Sequence, residues 1–497
     1  MMDDDTIDRF TGNSVYDGSE KTPLYCKNDN EKTTLNLIVA FCTVFCVGIL
    51  VVLLVHIHIY GTHQLVPHGS VASDDVECSQ YGIEILKIGG NAVDAAITSA
   101  LCNSIALPHL SGLGGNGVML VYDHRSGTGN VIDFRATRSS HQLVGIPGFL
   151  AGLYYANSKY GILPWKTLVE PSIKLAKRGV IVTESLLEAI NQKSLESFQN
   201  KALKDWLTIV STYSPGQVVK VPDGLINTLN LISSNQLDVF YEKMTKELSG
   251  LLRSEDINNY EVQDLSIIKQ DFMNYSIITS NKDTGGPILF EVLSKLNVTK
   301  NDDDSMFSSL PSSFKDLGDN WLENTGLHIA TTDVFDLYVT VVSGLGSIFG
   351  SGILTRSGYM LNNALYTSSE ENNISQRPSS LYLPFIAVEK DKICGRRIIS
   401  GSADVRDGTQ ILLSIIKTDS HEFLEVNKAP RIRFNNVNIA VEFPLTFPKK
   451  LKDLFLSLDF NVFNATLPYP TSNIIQKLED RAIALSDSRG SGNSFTI

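Results

Sequence analysis

The polarity pattern changes abruptly once near the N-terminus. Residues 1 to 34 are polar, with eight Asp or Glu, and Leu35 to Val55 then runs for 21 residues without a charge. At about 1.5 Å per residue this stretch covers a bilayer core of about 30 Å, so the pattern predicts one transmembrane helix. A cleaved signal peptide is the alternative, disfavoured by the long acidic leader and by the lack of a small-residue cleavage pattern after Val55. Beyond Val71, segments of helical period alternate with short β-branched runs. Trp165 to Arg178 has apolar residues at helical spacing, with Pro164 suited to its first turn and Gly179 as its stop signal. Val118 to Tyr122 and Tyr338 to Val342 read as sheet strands, with a hairpin turn at His124 to Gly129. Lys300 to Asn324, carrying Asp302-Asp303-Asp304 and scattered Ser, Pro and Gly, reads as an exposed acidic loop.

The expected organisation is a flexible tail over 1–34, a signal-anchor helix over 35–55, a juxtamembrane stalk over 56–70 and one large folded unit over 71–497. Arg9, Lys21, Lys27 and Lys32 precede the span and no Lys or Arg follows until Lys87. The positive-inside bias therefore leaves the N-terminus cytoplasmic and the bulk of the chain lumenal or extracellular, on the plasma membrane or in the secretory pathway. Sequons at Asn274, Asn297, Asn373 and Asn464 all lie after the span, which fits glycosylation on that side.

With 43% hydrophobic and 19% charged residues the chain can bury a large core, and its net charge of −12 without a Lys/Arg cluster argues against a nucleic-acid partner. His56, His58, His63 and His68 crowd the stalk at irregular spacing with no Cys beside them, so they read as solvated side chains rather than a metal site. No metal or cofactor is expected. Gly112, Gly114 and Gly117 satisfy G-x-G-x-x-G but follow a helix and lead into a strand, the reverse of a dinucleotide cradle, and close backbone packing is the expected role. Only Cys78, Cys102 and Cys394 would meet an oxidising compartment, which allows one disulfide at most.

Several short motifs stand in order along the chain: Gly89-Gly90-Asn91-Ala92-Val93-Asp94-Ala95-Ala96, Gly112-Leu113-Gly114-Gly115-Asn116-Gly117, Ile132-Asp133-Phe134-Arg135, Val144-Gly145-Ile146-Pro147-Gly148, Leu163-Pro164-Trp165, Phe349-Gly350 and Leu361-Asn362-Asn363. With these motifs the chain resembles the γ-glutamyltransferase (glutathione hydrolase) family, and within it the divergent, single-span, seventh-paralogue-like branch. The resemblance implies an α/β (α+β) fold, a four-layer αββα N-terminal-nucleophile hydrolase, divided into a large-subunit-like part over 71–324 and a small-subunit-like part over 325–497. It implies a disulfide between Cys78 and Cys102, leaving Cys394 as a buried single thiol. It also implies a small γ-glutamyl ligand such as glutathione; a protein partner is not indicated.

Chemistry in this family starts from a Thr that cleaves the preceding peptide bond and then uses its hydroxyl as nucleophile and its own α-amine as base. That Thr lies two residues before a His, and here His328 puts Gly326 at the position. Thr325 is the obvious substitute, yet a one-residue step along a strand sends the side chain to the opposite face. By resemblance Arg135 would hold the γ-glutamyl carboxylate, followed by Ala136 where an acid is usual. The two acidic positions that hold the substrate ammonium fall on Ala364 and Thr367. The Thr-x-Asn near the nucleophile falls on Gly344 and Gly346, the serine pair on Ser380 and Leu381, and the oxyanion glycines on Asp407 and Gly408. Two readings follow: a catalytically silent, membrane-tethered member kept for binding, or an active ectoenzyme with Thr325 as displaced nucleophile.

Overall fold

In the computed structural model the described residues are 29–60, 68–138, 144–296, 303–314, 325–364, 377–392, 394–435, 437–442 and 446–497. They fall into two compact units, Met1–Leu65 and Val66–Ile497. In the first, a single helix runs over Asp29–Tyr60 and so extends past both ends of the predicted span. Its Thr33–His58 stretch is long and apolar enough to cross a membrane, and its apolar side chains are exposed along its length.

The second unit is built on two antiparallel sheets. One has seven strands in the order Ser494–Thr496, Ser70–Ala72, Thr325–Thr332, Leu337–Gly346, Asn116–Asp123, Thr128–Phe134 and Gln263–Ser266. The other has six: Arg481–Leu485, Ile474–Leu478, Arg397–Ser402, Leu383–Glu389, Tyr275–Thr279 and Ile268–Phe272. Because side chains alternate along a strand, each sheet sorts its apolar residues into two faces. Val118, Leu120, Tyr338 and Val342 of the first sheet pack with Ile278, Ile386, Ile399 and Ile475 of the second. The intervening Met119, Val339 and Val341 point the other way, into the helices Val76–Lys87, Ala92–Ala106 and Trp165–Arg178. On the far side Leu383 and Phe385 pack with the helices Gly285–Lys295 and Val405–Lys417. The layering is αββα, as the sequence reading expects.

Local sequence explains how these elements are fixed. Ala92–Ala106 is buried along its whole length, and Asn91 and Asp94 close its N-terminus with a reciprocal capping box. Its small side chains allow close approach to Val76–Lys87, and the sulfurs of Cys78 and Cys102 join the two helices as a disulfide. Gly179, with φ of 103°, ends Trp165–Arg178 in a backbone conformation that favours glycine. The G-x-G-x-x-G run does pack closely: a β-carbon at Gly114 would lie 2.2 Å from the Met360 carbonyl oxygen, and one at Gly117 would lie 2.4 Å from that of Val342.

A buried polar node ties the two sheets together. The Asn473 amide donates to His328 Nδ1 at 2.9 Å, so the ring proton sits on Nε2, which donates to Thr340 Oγ1 at 2.8 Å; Thr340 in turn donates to the Ser400 carbonyl at 3.1 Å. Asp74 accepts from the His328 amide and from Asn473 Nδ2, both at 2.8 Å. Burial pushes His328 down to about 3 and Asp74 up to about 6, so both are held toward their uncharged forms.

Two expectations fail here. Within the stretch read as an acidic loop, Asp303–Ser313 is a helix that buries Met306, Phe307 and Leu310 against the second core; residues 300–302 and 315–324 lie outside the described residues. Cys394 is exposed rather than buried, because it sits in the turn joining Leu383–Glu389 to Arg397–Ser402.

Candidate functional site

Thr325 and Gly326 open a strand whose pairing with Leu337–Gly346 loses register between Ser343 and Gly346. There the two backbones lie unusually close. A β-carbon on Gly326 would stand 2.6 Å from the Ser343 carbonyl oxygen and 3.1 Å from Ala403 Cβ, and one on Gly344 would stand 2.5 Å from the Thr325 carbonyl oxygen. Gly346, at φ of 96°, leaves no room either: a β-carbon would lie 2.4 Å from Asn363 Oδ1. The three glycines at the nucleophile and Thr-x-Asn positions are therefore one packing solution, in which backbone fills space that side chains would otherwise take.

Arg135, Ala136, Gly346, Ala364 and Ser380 do come together, around a void of about 20 Å³. That is room for about one water. Arg135 is 3% exposed, and its Nε and Nη2 form a fork on Asp133 at 3.0 and 2.8 Å. Its Nη1 donates to the carbonyls of Asp283 and of Pro378. The guanidinium thus serves the fully buried Asp133 and the Arg377–Tyr382 segment rather than facing an open pocket. Ser380 Oγ accepts from the Tyr382 amide at 3.2 Å, which fixes the same segment. Thr367 lies outside the described residues.

The open space is elsewhere. A cavity of about 410 Å³ is lined by Thr325 and Gly326 on one side and by Asp404 to Asp407 on another. Its other walls include Phe314, Arg433, Phe434, Asn438, Phe463, Asn464 and Tyr469. Thr325 Oγ1 is buried with no hydrogen-bond partner among the described residues, which places no side-chain base against it. Asp404 caps Val405–Lys417 and is held by the Nε and Nη2 of Arg406 at 3.0 and 2.6 Å. Asp407 is 4% exposed, and burial first, then the charges of Asp404 and Glu442, push its carboxyl up to about 7 against the pull of Arg433 and Arg431.

The Gly408 amide is already engaged. It donates within the helix to the Asp404 carbonyl at 2.9 Å, and the absent side chain makes room for Leu383, whose Cδ2 would lie 2.7 Å from a β-carbon. The helix begins at Val405, and it is Ala403, just before it, that meets Gly326. Of the sequons, Asn274 is exposed in a hairpin turn and Asn464 is exposed at the cavity; Asn297 and Asn373 lie outside the described residues. Arg406, Arg433 and Tyr469 had no role in the sequence reading, since nothing in their spacing links them to Thr325.

A gamma-glutamyltranspeptidase family model matches residues 78–141 and 136–315. Mouse and human Glutathione hydrolase 7 are each 26% identical to this chain across 79% of it and 72% of their own length. The chain is similar to the gamma-glutamyltranspeptidase family. Arabidopsis thaliana Glutathione hydrolase 3 is 32% identical over 46% of this chain and 39% of its own length. The fold likeness is broader: a cephalosporin acylase from Bacillus halodurans, 18% identical, superposes with a TM-score of 0.74 over 86% of this chain and 96% of that one. With that acylase this chain shares the αββα layering.

Proposed function

We propose that this chain is a membrane-tethered gamma-glutamyltranspeptidase homologue that has kept the fold for binding and has lost γ-glutamyl turnover. The observation that carries this reading is the packing at Gly326, where neither a hydroxyl nor the β-carbon to bear one has space. Loss of a nucleophile costs on the order of 10⁶-fold in comparable hydrolases. The 20 Å³ void at Arg135 adds a second obstacle for a γ-glutamyl group. The proposed organisation is a cytoplasmic tail over 1–34, a type II span at 35–55, a stalk over 56–70 and a glycosylated ectodomain from 71 that stays uncut at 324–325. The long apolar helix and the sequons after it support this arrangement.

The second reading is an ectoenzyme acting on glutathione or another γ-glutamyl compound, with Thr325 as nucleophile. It is favoured by one observation, that Thr325 lines a cavity of ligand size and its hydroxyl has no hydrogen-bond partner among the described residues. Two measurements on the purified full chain decide between them: its intact mass after deglycosylation, and release of a chromogenic amine from a γ-glutamyl donor. One uncut chain without release supports the silent homologue. A new N-terminus at Thr325, with release abolished in Thr325→Ala, establishes the ectoenzyme.

A further inference from the structure

A carboxyl without a hydrogen-bond donor among the described residues stands at the wall of the 410 Å³ cavity. It belongs to Asp407, which is buried there. An unpaired buried carboxyl is costly unless something else occupies the space beside it. The charges packed around it are specific. Asp404 and Arg406, on and before the same helix, neutralise each other. From the Arg431–Phe434 segment and beyond it, Arg431, Arg433 and Arg489 share Glu442 and Asp487. Among the described residues these are four arginines and three carboxylates, and Asp407, when ionised, is the fourth. Arg433 lies at the cavity, its Nε 3.6 Å from Glu442 and without a hydrogen bond, its guanidinium 5.9 Å from the Tyr469 ring centroid. Phe314, Phe434, Phe463 and Tyr469 add aromatic walls to the space.

We propose that this cavity binds a compact amphipathic carboxylate, its apolar body against the aromatic walls and its carboxylate between the Asp407 carboxylic acid and the Arg433 guanidinium. The ligand's carboxylate then takes the place of an ionised Asp407 beside these arginines, while Asp407 stays protonated and donates a hydrogen bond to it. An amine ligand would instead require Asp407 to ionise and would add a cation to a cluster of arginines. With Asp407 pushed up to about 7, the carboxylate complex forms at mildly acidic pH and weakens as Asp407 loses its proton. This deepens the reading of the chain as a binding homologue and rests on it, but its test does not depend on turnover.

The test measures binding of 3-phenylpropanoate, 3-phenylpropan-1-amine and 3-phenylpropan-1-ol to the full chain in lipid nanodiscs by calorimetry, with empty nanodiscs as the blank. The three probes share a body and differ only in the head group. The acid is expected to bind at pH 6, more tightly than the alcohol and the amine, and to lose about tenfold in affinity for each pH unit above 7. Asp407→Asn keeps a donor and should bind the acid with no pH dependence, whereas Asp407→Ala should weaken it about tenfold at pH 6; near-ultraviolet circular dichroism confirms that each variant is folded. The proposal is overturned if the amine binds more tightly than the acid, if the acid shows no saturable binding at pH 6, or if folded Asp407→Asn keeps the wild-type pH profile. Release of amine from a γ-glutamyl donor would refute the silent reading alone and would leave the binding result to be judged on its own.

Discussion

Gly326 and Ser343 are locked together by backbone: a β-carbon on Gly326 would stand 2.6 Å from the Ser343 carbonyl oxygen, far inside contact distance. Restoring the family hydroxyl with Gly326→Thr therefore does not simply re-arm the site, because the strand pair must first part. Overpacking of this kind typically costs about 1 to 3 kcal/mol. The expected outcome is a lower Tm for Gly326→Thr and Gly326→Ala alike, with no self-cleavage in either. A threonine variant as stable as the wild type, or one that cleaves, would mean that the strand start is looser than its glycine packing implies.

Arg135 is expected to behave as a structural residue. It answers the charge of the fully buried Asp133 through a two-point fork, and removing one partner of such a pair commonly costs about 3 to 5 kcal/mol because the other charge is left uncompensated. Arg135→Gln should thus lower stability in the absence of any ligand, and Asp133→Asn in the same chain should recover part of the loss. An Arg135→Gln protein with unchanged denaturant midpoint would return the residue to a purely ligand-binding role.

How much of this was legible in sequence depends on whether the determinants were local. Trp165–Arg178 announced itself through helical spacing between Pro164 and Gly179, and the strands containing Val118 to Tyr122 and Tyr338 to Val342 through β-branched runs bounded by turn residues. Asp303–Ser313 was misread because its consecutive aspartates and internal Pro311 resemble a loop, although an acidic first turn also suits a helix N-terminus and Met306, Phe307 and Leu310 supply a buried side. Arg135, Ala364 and Ser380, singled out by motif position, line one small void. Motif position could not reveal that Asp133 already occupies the guanidinium, nor that Gly344 closes on Thr325. The cavity was beyond reach because Phe314, Thr325, Asp407, Arg433 and Tyr469 meet only through the tertiary fold, and no period or spacing encodes that meeting.

The disulfide should matter for stability more than for shape. Cys78 and Cys102 are both buried and 24 residues apart, and closing a loop of that size is worth about 3 kcal/mol on chain-entropy grounds. Replacing both by alanine should lower the unfolding free energy by that order. Peptide mapping without reduction that recovers both thiols free in the native protein would remove the premise.

The pH dependence of stability should carry the mark of Asp407. Its carboxyl is raised from 3.8 to about 7 in the folded chain, so between these values the folded state binds a proton that the unfolded state has released. Stability from this group is then fully present below pH 3.8 and is lost as pH rises through 7, the opposite of a salt-bridged carboxylate. A shift of about three pH units corresponds to at most on the order of 4 kcal/mol. Asp74, raised to about 6, acts in the same direction, and His328, lowered to about 3, acts in the opposite one by costing stability as pH falls below its unfolded value. Both are common to wild type and variant, so the comparison that isolates Asp407 is a difference. Asp407→Asn should be close to wild type in stability near pH 4 and progressively more stable than it between pH 5 and 8, in denaturant titrations without ligand. Parallel profiles for the two proteins across that range would show that Asp407 ionises freely, and with it would go the picture of a protonated carboxyl at the cavity wall.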